Sequence, residues 1–303
     1  MKAAIYFNEL QPLLYGYYIC KGVIFLHRKI SAAVFTVLTA MFMCGCTSDK
    51  NTVGQSAGHN DRGGVTPAET AFLTDGKEKV CYGQGYETDS DNRPVGAIQA
   101  QEKYGSYGGR FIFGKDDKTI RLTFDEGYEN GCTGKILDIL KEKKVTATFY
   151  VTLDYVKSSP ELVSRMINEG HEVGNHSCTH PSLPDISDDM VFEEIHGLET
   201  YISDNFGGYK TVTMRPPRGE FSVRTLRIAK NMGYDTVLWS FAYNDWNTDA
   251  QPDRDTAYRR ITSATHNGAV YLLHAVSETN TAILPDVIDY WLDNGYTVKS
   301  ISG

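Results

Sequence analysis

Thr119-Ile120-Arg121-Leu122-Thr123-Phe124-Asp125-Glu126-Gly127-Tyr128-Glu129-Asn130-Gly131 reads as a short strand that runs into two adjacent carboxylates and a glycine-bearing turn. Thr, Ile, Leu and Phe suit a pleated, packed surface. Gly127 and Gly131 end the run and let the backbone turn sharply. Side-by-side acids repel, and the pair is costly unless a metal, an arginine or a shared proton compensates. Taken alone, Asp125-Glu126 reads as a solvated loop. Four further polar clusters, each after its own predicted strand, decide against that.

Downstream of this stretch a strand–helix alternation predicts strands over 146–152, 171–175, 211–214, 236–241, 269–273 and 296–300. The helices between them carry their own punctuation. Ile136, Leu137 and Leu140 share one face of a helix over 134–144. Ser159 with Pro160, then Ser187 and Ser222, stand at helix starts, and Gly170, Gly207-Gly208 and Gly233 at helix ends. Further helices are expected over 255–265 and 282–292, the last with Pro285 in its first turns. Seven strands alternating with helices imply an α/β domain with a parallel sheet, and an unbroken series of such units favours a barrel over an open sheet. Asp125, His176, Arg215, Asp245 and His274 each fall at or just past a strand's C-terminal end, the rim where parallel barrels hold their chemistry.

Upstream, the sequence is not fold. His27-Arg28-Lys29 is a basic flank, residues 30–43 are an apolar run, and Cys44-Gly45-Cys46 closes it. That order describes a secretory signal, too short to span a bilayer comfortably. The Gly-Cys pair resembles a bacterial lipobox, with Met43 in place of the usual Leu, which would lipidate Cys46; an uncleaved signal-anchor is the alternative. Residues 1–26 make a long leader, consistent with a start codon assigned too early. Residues 46–70 are rich in Ser, Gly, Asn and Asp and read as a flexible tether. Residues 71–118 read as an irregular N-terminal extension of a main domain over 119–303. The chain of 303 residues, 41% hydrophobic and 22% charged, has a net charge of −8 and no basic stripe, so it is not a general nucleic-acid binder. With Cys46 lipidated, Cys81, Cys132 and Cys178 remain, too few and too scattered for a disulfide framework.

The polar clusters point to one chemistry. His176 and His180 stand four apart just after a strand. Two imidazoles on one turn plus a carboxylate form a three-ligand site with open positions. A lone His-x-x-x-His is weak, since core or surface histidines are commoner; with Asp125-Glu126 on a neighbouring strand end it is strong. Cys178 reads as a small packed residue rather than a soft ligand. Arg215-Pro216-Pro217-Arg218-Gly219 is a rigid turn, suited to an arginine that holds a carboxylate. Asp245 and His274 make an acid–imidazole pair fit for general acid catalysis, although each is unremarkable alone.

Taken together, these residues resemble the polysaccharide deacetylases, carbohydrate esterase family 4 with the NodB homology domain. The resemblance covers about 119–303 and five motifs in order: Thr123–Glu126, His176–His180, Arg215–Gly219, Asp245-Trp246 and Leu272–His274. Leu122-Thr123-Phe124-Asp125-x-Gly127-Tyr128-Glu129-Asn130-Gly131 and Tyr271–Ser277 are most similar to the spore-associated subgroup that makes muramic δ-lactam. The resemblance implies a distorted, NodB-like (β/α) barrel of about seven strands and a divalent, zinc-like metal. It implies that Asp125 is the base, that His176 and His180 bind the metal, and that Arg215 orients Asp125. It implies that the backbone near Arg218 helps hold the oxyanion, that Asp245 tunes His274 to protonate the leaving amine, and that Trp246 and Leu273 wall the acetyl pocket. Glu126 stands where most of the family has a ligating Asp and the δ-lactam subgroup Asn, so the third ligand is in doubt.

The expected activity is removal of acetyl groups from cell-wall glycan outside the cytoplasm, with N-acetylmuramic acid of peptidoglycan the preferred substrate. N-acetylglucosamine in peptidoglycan or chitooligosaccharides is the alternative. A non-catalytic glycan-binding lipoprotein and a hydrolase of small cyclic amides are the readings from other classes.

Overall fold

A computed structural model describes residues 76–303 and, separately, a two-residue antiparallel ladder of Ile19–Cys20 with Val23–Ile24. The rest of the expected leader, the lipobox with Cys46, and the tether lie outside the described residues. In chain order the elements are β1 (Val80–Cys81), α1 (Val95–Tyr104), β2 (Gly109–Arg110), β3 (Thr119–Glu126), α2 (Thr133–Lys143), β4 (Thr148–Val151), α3 (Leu153–Ser158), α4 (Pro160–Asn168) and β5 (Glu172–Asn175). There follow α5 (Asp188–Asn205), β6 (Thr213–Met214), β7 (Glu220–Phe221), α6 (Val223–Asn231), β8 (Asp235–Val237), α7 (Arg254–Ser263), β9 (Ala269–His274), α8 (Glu278–Asp293) and β10 (Thr297–Lys299).

Eight strands form one parallel sheet in the order β9-β3-β4-β5-β6-β8-β2, with β10 also on β3. The long strand β3 changes partner along its length: β10 pairs with Thr119–Arg121 and β4 with Thr123–Glu126. Past β8 the chain reaches β9 through a parallel bridge between Phe241 and Tyr271, where the Leu272 amide donates to the Phe241 carbonyl at 2.8 Å. The sheet thus curls back on itself, and the fold is the expected distorted (β/α) barrel.

Strand periodicity separates two environments. Ile120, Leu122 and Phe124 of β3 share a core with Ile136, Leu137 and Leu140 of α2 and with Val287, Ile288 and Trp291 of α8. Thr123 and Asp125, offset by one residue, face the opposite way, because successive side chains of a strand alternate. Both faces of β3 are buried throughout.

The predicted helix punctuation is largely present. Ser187 accepts the Met190 amide, and Ser222 forms a capping box with Thr225. Ser159 precedes α4 but makes no side-chain cap bond. Ahead of it stands the unexpected α3, capped by Thr152, which accepts from the Tyr155 amide.

Within the described part of the expected irregular extension, residues 76–118, a helix and short strands are present. Ala97, Ala100 and Tyr104 make a buried stripe on α1, and β2 joins the sheet beside β8. A two-residue strand is too short to show alternation in sequence. Among the described residues no helix is long and apolar enough to cross a membrane.

Candidate active site

Asp125 stands near the end of β3, buried, with Arg215 from just past β6 facing it. Arg215 Nη1 donates to Asp125 Oδ1 at 2.7 Å and to Thr123 Oγ1 at 2.9 Å. Nε and Nη2 donate to the Val237 and Leu238 carbonyls at 3.1 and 3.2 Å, and the guanidinium lies 4.3 Å over the Tyr150 ring. A fully buried arginine fixed at so many points holds one carboxylate oxygen and leaves the other free to act. Burial alone would raise the Asp125 pKa. Arg215, then His176 and His274, more than offset it and hold the carboxyl below its usual range.

His176 and His180 sit in the loop after β5. Their rings are 4.9 Å apart, edge to face, and His176 Nε2 lies 3.7 Å from the free Asp125 Oδ2. The loop reaches this shape with two non-glycine residues in the left-handed region, Ser177 at φ 68 and His180 at φ 59. Side chains pin it: Asn175 Oδ1 accepts the Ser177 amide at 2.9 Å, and Ser177 Oγ accepts the His180 amide at 3.0 Å. Asn175 Nδ2 in turn donates to the Ile195 carbonyl at 2.9 Å.

Across the groove, Asp245 is buried and takes three bonds. Oδ1 accepts from His274 Nδ1 at 2.7 Å; Oδ2 accepts the His274 amide at 2.9 Å and Asn280 Nδ2 at 2.5 Å. Tyr243 donates its hydroxyl proton to the Asn280 amide oxygen. Burial pushes His274 down, but Asp245 beneath it outweighs that and, with Asp125, keeps the imidazole above its ordinary value. His274 is thus held as an acid, with Nε2 turned from Asp245.

Asp125, His176, His180 and His274 line one groove of ≈ 850 Å³, which also takes in Trp246, Arg218 and Tyr128, while Arg215 and Asp245 are buried against them. Trp246 is 56% exposed, so its indole face is available to a ligand. Trp239 lines the same groove and is held by the N-terminal extension: its Nε1 donates to Gln84 Oε1 at 2.9 Å, and Gln84 Nε2 donates to the Ala242 carbonyl at 3.0 Å. Gly219 has φ 65, and a Cβ there would meet Trp239 at 2.6 Å. A second concavity of ≈ 620 Å³ between α7 and α8 is lined by Asp255, Asp286, Asp289 and Asp293 and includes none of the groups above.

Two expected site residues are not in the groove, for one reason. Glu126 follows Asp125 and therefore faces outward with Phe124. Its Oε2 receives Thr133 Oγ1 of α2 at 3.5 Å, and its Oε1 is buried with no hydrogen-bond partner. Burial first, then Glu129 and Asp125, raise its pKa well above its ordinary value. Leu273 likewise faces the outer core, while Leu272 lines the groove with His274. Cys178 stays out of the site, its sulfur 3.9 Å from the Glu193 carbonyl. Sequence reasoning gave no role to Thr123, Asn175, Gln84 or Asn280, although Thr123 opens the first motif and Asn175 ends a strand before His176.

Burial lowers the pKa of His176 to about 4 and lowers that of His180. Burial thus favours the neutral form of both rings. With His176 Nδ1 bonded to the Arg215 carbonyl at 2.8 Å as donor, Nε2 carries the lone pair. This pair fits a divalent cation as two of its ligands. Glu126 does not supply a third. Among the described residues no three His, Cys, Asp or Glu side chains close into a cage.

A family model described as polysaccharide deacetylase matches residues 114–237. The peptidoglycan-N-acetylmuramic acid deacetylase PdaA of Bacillus subtilis is 43% identical over 200 residues, 66% of this chain and 75% of the relative. The peptidoglycan-N-acetylglucosamine deacetylase PgdA of Listeria monocytogenes is 33% identical over 187 residues, 62% of this chain and 39% of that protein. The solved structure of Bacillus subtilis PdaA, a family 4 carbohydrate esterase, superposes with a TM-score of 0.71 at 39% identity, covering 75% of this chain and 96% of that one.

Proposed function

The chain belongs to the polysaccharide deacetylases of carbohydrate esterase family 4, hydrolases of amide bonds, and from that premise we propose that it removes the acetyl group from N-acetylmuramic acid in peptidoglycan. The single observation that carries the reading is the opposition, in one groove, of a carboxylate bound by Arg215 and an imidazole bound by Asp245.

Asp125 Oδ2 takes a proton from the attacking water as its oxygen bonds to the acetamide carbon. Arg215 keeps that oxygen correctly aimed by occupying Oδ1. We assign the backbone amide near Arg218 to the developing oxyanion. His274 then gives a proton to the sugar nitrogen as the carbon–nitrogen bond breaks, so one water and one acetamide become acetate and an amine. Trp246 and Leu272 shape the space around the acetyl methyl. The family is metal-dependent in general. We assign His176 and His180 to the cation, zinc in our reading, which when bound supplies Lewis acidity to the acetamide oxygen.

The competing substrate is N-acetylglucosamine, on which PgdA is named as acting. The greater identity to PdaA favours muramic acid. On the same reading the protein works outside the cytoplasm, anchored through Cys46 or a signal-anchor or else secreted, and belongs to sporulation. The test is acetate release from purified peptidoglycan, with mass spectrometry locating the free amine. Release from wild type and none from Asp125→Asn supports the assignment; amines found only on glucosamine would replace the substrate.

A further inference from the structure

Behind Asp245 lies a row of buried polar groups that the chemistry above leaves without a role. Asn280, in the first turn of α8, donates from Nδ2 to Asp245 Oδ2 at 2.5 Å. Tyr243 donates its hydroxyl proton to the amide oxygen of Asn280. Burial raises the Tyr243 pKa, so the phenol keeps the proton it donates. The two neighbours fix the amide one way round, oxygen toward the phenol and nitrogen toward the carboxylate. Turned over, the amide would set its oxygen against an anion.

The start of α8 explains why this side chain is available. A polar residue three past an N-cap often turns back to accept the cap's own N–H. Here the Ser277 N–H already donates to the His274 carbonyl at 3.2 Å, while Ser277 Oγ accepts the Asn280 amide at 3.0 Å. Asn280 is held by its backbone, and its side chain is released toward the site. Ser277 Oγ also donates to Gln251 Oε1 at 2.5 Å, and Gln251 Nε2 donates to the Asp245 and Asn247 carbonyls at 2.8 Å each. The first turn of α8 thus grips the Asp245 loop twice, once at the carboxylate and once at the backbone on either side of Trp246.

We propose that Asn280 is the positioning residue of the acid half of the site, fixing the Asp245 carboxylate and, through it, the imidazole of His274. The inference rests on the deacetylase reading above. Of the three bonds that Asp245 takes, two come from His274 itself. Those two tie the pair together but leave the carboxylate without an outside anchor. Asn280 supplies it from a helix. An acid must meet the leaving nitrogen within hydrogen-bond reach, and a small misplacement costs rate rather than binding.

The test separates chemistry from binding. Asn280→Leu keeps the volume and removes the donor; it should lower kcat about five- to twentyfold and leave KM within about twofold. Tyr243→Phe frees the amide oxygen and should give the same pattern more weakly. Gln251→Ala loosens the backbone beside Trp246 and should instead raise KM. In an Asp245→Asn background, Asn280→Leu should cost nothing further, because its effect runs through that carboxylate. An Asn280→Leu variant with full kcat, the same loss in both backgrounds, or an equal kcat loss in Gln251→Ala overturns the proposal. The His274 Nδ1 proton, followed by NMR in the protein without substrate, should move upfield in Asn280→Leu and less so in Tyr243→Phe; an unmoved resonance overturns it too. That signal needs no turnover. Absence of acetate from every glycan would therefore sink the deacetylase reading, while the resonance would still decide the role of Asn280.

Discussion

Asp125 and Glu126 are covalent neighbours on β3, both buried, and they live in opposite worlds. On the inner face Asp125 meets a guanidinium and an imidazole, and its carboxyl stays below its ordinary pKa range despite burial. On the outer face Glu126 meets a threonine hydroxyl under α2 and no cation, and its carboxyl is pushed far upward. The same division separates Leu272 from Leu273 on β9. A strand with two buried faces is two environments read in alternation, and a site is defined by parity as much as by position.

The largest expected effect is on the inner face. Asp125→Asn keeps the shape but removes the base, so acetate release should fall by about a thousandfold. Arg215 is left buried beside a neutral amide, and thermal stability should fall as well. A variant with near wild-type turnover would mean the base lies elsewhere, and the contrast between the two faces would lose its functional meaning.

Next comes a test of parity on β9. Leu273→Ala opens a cavity in the outer core and should cost about 2–5 kcal/mol of stability in denaturant titration, with KM little changed. Leu272→Ala should also cost stability, since that side chain is buried in a second core cluster, but it should raise KM as well, because the side chain lines the groove. Equal stability losses with no change in KM would erase the distinction.

Asp245→Asn probes the acid on the far side of the groove. Asp245 is what holds the His274 pKa up against burial. Removing its charge should lower that pKa, so the protonated acid is lost at lower pH. The basic limb of the pH–rate profile should shift downward and kcat should drop by about ten- to a hundredfold. A limb that stays in place would assign it to another group.

The sequence made the barrel legible because long amphipathic helices, capping serines and closing glycines are local signals. Asp125, His176 and His274 in the groove, with Arg215 and Asp245 bonded behind them, were legible because a parallel barrel sends every strand's C-terminal end to one rim. What failed was parity at strand ends. Asp125-Glu126 and Leu272-Leu273-His274 are polar or apolar on both faces, so no alternation tells which neighbour turns inward. Asn280 was invisible for a different reason: it reaches Asp245 from the first turn of α8, and nothing in the intervening residues encodes that approach.

Glu126→Gln is the mildest change and the sharpest test of the two faces. If Glu126 served the imidazole pair, the variant would lose cation affinity and turnover together. On the outer face it should keep turnover within about twofold, since an amide replaces a carboxyl of nearly the same shape away from the groove. Its signature should lie in stability against pH. An acid whose pKa is raised on folding binds its proton more tightly in the folded state, so its contribution is complete at low pH and fades as pH rises through the folded value. Wild type should therefore lose thermal stability toward alkaline pH faster than Glu126→Gln, with the two curves close together in acid. Parallel curves across the range would mean that the carboxylate is already ionised, and hence that a cation, not a helix, covers it.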